Sequence, residues 1–108
     1  MAKNKAPSKR GRNIVFTIKA KVWIYPGDAA WHFVYVGEKE SAIVKRSQAG
    51  LLRRGFGAVR VTATIGTTTW KTSIFPTKEG PYLLPLKADV RKKEGVISGS
   101  RVEIRCSL

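Results

Sequence analysis

The chain has one cysteine, one histidine and one methionine among its 108 residues. A single cysteine, Cys106, excludes an intrachain disulfide. That suits a reducing compartment, so a cytoplasmic protein is expected. His32 and Cys106 make a poor metal set, and no C-x-x-C or H-x-x-x-H spacing occurs. No metal and no cofactor are therefore expected. His32 has no sequence-adjacent aspartate or nucleophile to form a triad. Acids are scarce, 7 against 21 lysines and arginines, with no obvious carboxylate pair for acid–base work. Gly55-Phe56-Gly57 is followed by no Gly-Lys-Ser/Thr, so it is not a phosphate loop. Long apolar runs are missing too: none nears the ~18 residues a membrane span needs. The N-terminus carries cations but no apolar stretch, unlike a secretory signal. These absences favour a protein that binds over one that catalyses.

What is present is positive charge, a formal +14 at pH 7. Residues 1–13 contribute Lys3, Lys5, Lys9, Arg10 and Arg12 with no acid, and read as a disordered basic tail. The remainder, 14–108, reads as one domain, because 43% hydrophobic content at this length suffices for one core. A basic surface favours polyanions such as nucleic acid, or is a solvated coat that aids solubility.

Periodicity predicts mostly strands. Phe16, Ile18, Ala20, Val22 and Ile24 share one face of a strand over 14–24, with Thr17, Lys19 and Lys21 opposite. Pro26-Gly27 supplies a turn. Trp31 to Val36 is apolar on both faces, as in a central or covered strand. Glu38 to Gln48 is a helix, acidic early and basic late, stopped by Gly50. Ala58 to Ile65 is a strand that turns through a four-residue loop, 66–69, into Trp70–Phe75. Tyr82 to Leu86 follows as a strand that Pro85, which cannot donate, either confines to an edge or bends. Ala88 to Glu94 is a second helix with Gly95 as its stop. Arg101 to Leu108 alternates again, with Val102, Ile104, Cys106 and Leu108 inward. The order ββαβββαβ gives a mainly β fold with two short helices, expected to form a closed or nearly closed barrel.

Arg54 to Val61, and Val34 to Gly37, resemble the two signatures of RNA-recognition domains, whose sheet aromatics stack on bases. Ala58 and Val61 stand where two of the first signature's aromatics belong, and the intervening segment is too short for that fold. Tyr25, Trp31, Phe33, Tyr35, Phe56, Trp70, Phe75 and Tyr82 are mostly core candidates. An exposed subset beside Arg53, Arg54 or Lys71 would make a stacking platform.

Trp70 to Pro76, Gly80 to Lys87, Val90 to Lys92 and Gly99 to Val102, with Phe16 to Val22 and Trp31 to Val34, together resemble a bacterial family catalogued as domain-of-unknown-function 1905. The resemblance covers about 14–108. It implies a single small double-split β-barrel, no established activity and no catalytic residue to carry over. Some relatives carry a further domain, which a chain ending at its last strand is not expected to have. Ser100 departs from the family's usual aspartate. The double-split barrel also occurs in transition-state regulators that bind DNA as dimers, an analogy of fold alone.

Three functional readings follow. The first is a non-enzymatic binding or interaction module of unknown partner, monomer or homodimer. The second is a nucleic-acid-binding protein using the tail with Lys45, Arg46, Arg53, Arg54, Lys92 and Lys93, or more broadly a binder of polyanions. The third is a barrel for a small anion, held by Lys71, Ser73, Lys87 and Arg91 at one barrel mouth. The competing role for Arg91 is capping carbonyls or pairing with Asp89 or Glu103.

Overall fold

A computed structural model describes residues 14–27, 30–48, 57–78 and 80–108. The basic tail 1–13, the stop at Gly50, and Arg53, Arg54 and Phe56 lie outside the described residues.

Alternation in the sequence becomes two faces in the sheet. The strand expected over 14–24 is interrupted at Val22, giving β1 (Val15–Lys21) and β2 (Trp23–Ile24). Then come β3 (His32–Tyr35), α1 (Glu38–Gln48), β4 (Val59–Ile65), β5 (Thr68–Ile74), β6 (Leu83–Pro85), α2 (Ala88–Glu94) and β7 (Arg101–Ser107). Apart from that split, the observed order is the one read from the sequence.

The strands form a four-stranded sheet, β1-β7-β4-β5, and a three-stranded sheet, β2-β3-β6. All the strand ladders are antiparallel. β1 pairs with β7 along its whole length, Val15 opposite Ser107 and Lys21 opposite Arg101. At Val22 the chain leaves one sheet for the other. Its N–H still donates to the Ser100 carbonyl (2.9 Å), and its own carbonyl accepts the Gly99 N–H (2.8 Å). At the other end a single bridge, Phe75 with Leu83, joins β5 to β6. The expected closed barrel is not formed among the described residues. β2 has two residues and β6 three, one of them Pro85 without an N–H, so neither can extend a continuous ladder. Of the two alternatives for Pro85, an edge or a bend, the structure shows the edge: β6 borders its sheet.

Two other expectations change. The β4–β5 hairpin turns in two residues, Gly66 and Thr67, because Ile65 pairs directly with Thr68. Gly66 takes φ +56°, a left-handed value that glycine adopts at no steric cost and that permits the tighter turn. Ile24 is 40% exposed, since β2 is an edge with little packed beneath it.

The core lies between the inner faces. Ile18, Val34, Ile74, Leu84, Val90 and Ile104 are almost wholly buried, each worth about 1.5–3 kcal/mol of burial. α2 closes one side through Val90 and packs on β5. It ends at Gly95 in the left-handed conformation (φ 65°), whose N–H caps the Arg91 carbonyl. Beyond it Ser100 Oγ accepts the Ile97 N–H (3.0 Å), an acceptor role an aspartate would also fill. α1 is pinned through Ser41, a buried hydroxyl. Its Oγ donates to the Val36 carbonyl (3.3 Å) and accepts the Tyr82 N–H (3.0 Å). Ser41→Ala strands that buried N–H, and urea denaturation should show a loss of about 1–3 kcal/mol at unchanged m-value. Among the described residues no helix is long and apolar enough to cross a membrane.

Candidate functional site: an aromatic sheet face flanked by lysines

The outer face of the β2-β3-β6 sheet is built from odd-numbered positions. Trp23 stands opposite Phe33, and Phe33 opposite Pro85. Tyr35 stands opposite Leu83, and Leu83 opposite Phe75. Side chains alternate along a strand, so these residues share one surface, extended at the β2–β3 turn by Tyr25 and Trp31. The Tyr25 N–H closes that turn on the Trp31 carbonyl (2.8 Å).

The surface is wet where a core strand would be dry. Tyr25 is 57% exposed and Trp31 56%, with Tyr35 and Phe75 also exposed. The rings order one another. Trp23 lies 5.3 Å from Phe33 and 5.4 Å from Tyr35 between centroids, and Trp31 lies 6.3 Å from Phe33, nearly parallel at 12°. Such pairs add about 0.5–1.5 kcal/mol beyond area burial and favour this arrangement of the rings without covering the face. A shallow, almost purely apolar depression of about 460 Å³ runs across Trp23, Tyr25, Trp31, Phe33, Phe75 and Pro85. Among the described residues the buried Trp23 Nε1–H has no hydrogen-bond partner.

A second cleft of about 180 Å³ adjoins it and shares Trp31 and Pro85. Trp70, Lys71, Thr72 and Lys87 complete most of its wall. The structure thus brings together two of the four residues expected at an anion-binding mouth. Lys71 projects exposed from β5, and Lys87 is the exposed N-cap residue of α2. Ser73 and Arg91 do not line this cleft. Ser73 pairs across the strands with Arg60. Arg91 donates through Nε to the Leu86 carbonyl (3.0 Å), a carbonyl-capping contact.

The cations expected to meet nucleic acid are split between elements. Lys45 and Arg46 are exposed in the last turn of α1, where Lys45 borders a cleft with Ser41 and Pro81. Lys92 and Lys93 are exposed on α2.

His32 is buried beneath the platform, not presented on it. Its Nδ1 lies 2.9 Å from the Ala30 carbonyl, so Nδ1–H donates there. That bond braces Ala30, which holds φ 50° without being glycine. The Cys106 thiol is wholly buried, and burial pushes its pKa up to about 12. A thiol so protonated is inert near neutrality. Among the described residues no three His, Cys, Asp or Glu side chains gather to hold a metal.

A family profile described as domain of unknown function (DUF1905) matches residues 19–106. The chain belongs to the DUF1905 family. No curated protein matches it. The matched span of this DUF1905 chain takes in both walls of the platform, from β2 through β6, and the lysine cleft beside it.

The sequence singled out Tyr25, Trp31, Phe33, Tyr35 and Phe75 without telling which were exposed. It missed Trp23, Leu83 and Pro85. The signal for Trp23 was there. It shares parity with Thr17, Lys19 and Lys21, the outward set of the same strand.

Proposed function

We propose that this DUF1905 chain is a non-catalytic, cytoplasmic binding module whose working surface is the aromatic outer face of β2-β3-β6. One observation carries the reading: ordered aromatic rings, two of them more than half exposed, line a continuous apolar depression. Soluble domains seldom leave such a patch uncovered unless it meets a partner. Lys71 and Lys87 at the adjoining cleft suit a guest with an acidic group beside a flat apolar body.

Anilinonaphthalene sulfonate has that chemistry and serves as the probe. The native protein should enhance its fluorescence saturably. Trp31→Ala and Phe75→Ala should each weaken binding several-fold at a stability cost of no more than about 1.5 kcal/mol, because both side chains are only about half buried. No enhancement by the native protein, or enhancement indifferent to both substitutions, refutes the reading.

A further inference from the structure

We propose that the platform binds single-stranded nucleic acid, with unpaired bases stacking on Trp31, Tyr25 and Phe75 and phosphates meeting Lys71 and Lys87. The inference rests on the binding-module reading and names its occupant.

Three observations select that occupant. The first is chemical form. Flat rings set on a sheet offer π-faces, and every base has a π-face, so stacking needs no sequence code. Trp31 rests one side near Phe33 and leaves over half its surface in water. The second is the placement of charge. Lys71 and Lys87 stand at the edge of the aromatic surface, sharing a cleft with Trp31, which is where a backbone would run beside stacked bases. The Phe75–Leu83 bridge carries the aromatic face onto the outer face of β5. There Lys71 and Ser73 alternate with the core residues, and Arg60 stands opposite Ser73. The third is net charge. A second copy of the chain would bring +14 against +14, whereas a polyanion is drawn in.

Duplexes are disfavoured on the same grounds. Their bases already stack on each other and leave no face for Trp31. An acidic peptide would satisfy the lysines but leave the rings wet.

The test uses the full chain and oligothymidylate of about 8 nucleotides, within the usual site size for such surfaces. All three tryptophans border the two adjoining depressions, so intrinsic fluorescence reports directly. Binding should quench it. Trp31→Ala should raise Kd about five-fold or more, in line with about 1–3 kcal/mol per stacked base. Lys71→Ala/Lys87→Ala should lower the slope of log K against log salt by about 1.4, two phosphate contacts on a single strand. The oligonucleotide should also displace anilinonaphthalene sulfonate. Polyglutamate should not, and the duplex should bind more weakly than the strand.

Equal affinity for strand and duplex, with no effect of Trp31→Ala, would mean diffuse cationic attraction and overturn the inference. So would displacement by polyglutamate alone, or sedimentation as a dimer that Trp31→Lys dissociates. If the dye binds in a Trp31-dependent way and no oligonucleotide competes, the nucleic-acid inference falls and the platform reading stands. If the dye does not bind at all, both fall.

Discussion

Ile104→Ala should remove about 2–5 kcal/mol of stability, a large part of the roughly 5–15 kcal/mol available to a domain. Ile104 is fully buried at the middle of β7. It faces Ile18 across the β1–β7 ladder, and its alternate neighbours Val102 and Cys106 point the same way into the core. β7 lies inside the four-stranded sheet between β1 and β4. Its side chains are hemmed in from both sides and can collapse little into a void. The transfer loss and the cavity cost therefore add. Ile97 supplies the comparison within the same chain. It is 69% exposed, and Ile97→Ala should stay within about 0.5 kcal/mol. Ile104→Val, one methylene smaller, should fall between, near 0.5–1.5 kcal/mol. Urea denaturation of the three variants at unchanged m-value tests the ordering. A cost at Ile104 as small as that at Ile97 would contradict the packing described.

The same alternation makes β7 readable from sequence. Val102, Ile104 and Cys106 inward, with Arg101, Glu103 and Arg105 outward, is the pattern observed, as are Val59, Val61, Ala63 and Ile65 in β4. The helices are legible from their charge order and, for α2, from Gly95, whose left-handed conformation ends the helix. The hairpin loop is read too long because Thr68 and Thr69 look like turn residues as readily as strand residues. Their branched side chains pair well in a ladder once Gly66 takes the turn. Closure cannot be read from a strand count. It depends on whether β2 and β6 are long enough to join the two sheets in a continuous ladder, and among the described residues they are not.

The aromatic face is hidden in the sequence for a different physical reason. Period-two patterns are interpreted by assuming that apolar residues point inward. In β3 that assumption fails for half the residues. Val34 and His32 are buried, whereas Tyr35 on the other face is exposed. An apolar strand open to water looks the same in sequence as one covered on both sides. β3 is indeed central in its sheet, but no described element covers its outer side. Lys87 and Arg91 illustrate a related limit. Four residues apart, they look like one cationic pair, yet the Arg91 Nε–H is directed to the Leu86 carbonyl and Lys87 is left to the cleft.

Alkaline pH should destabilise this protein, in large part through one buried thiol. In the unfolded chain Cys106 titrates near 9.0, and burial in the fold pushes it up to about 12. Below pH 9 both states hold the proton, so the thiol adds no pH dependence. As pH rises from about 9 to about 12, the unfolded chain releases a proton that the folded chain retains. Unfolding is then favoured by about 1.4 kcal/mol for each pH unit, or about 4 kcal/mol across the window. The buried Tyr82 phenol, also raised by burial, acts in the same direction as it begins to titrate. Cys106→Ala, which deletes the titrating group, should cost some stability at pH 7 through the lost sulfur. Its stability should then fall less steeply above pH 9, the residual slope reflecting Tyr82. The two urea-midpoint curves should therefore converge as pH rises. Parallel curves would show that Cys106 does not carry the dependence. A disulfide-exchange reagent offers an independent check: at pH 8 the thiol should react only as fast as the protein unfolds, and fast labelling of the native state would contradict its burial.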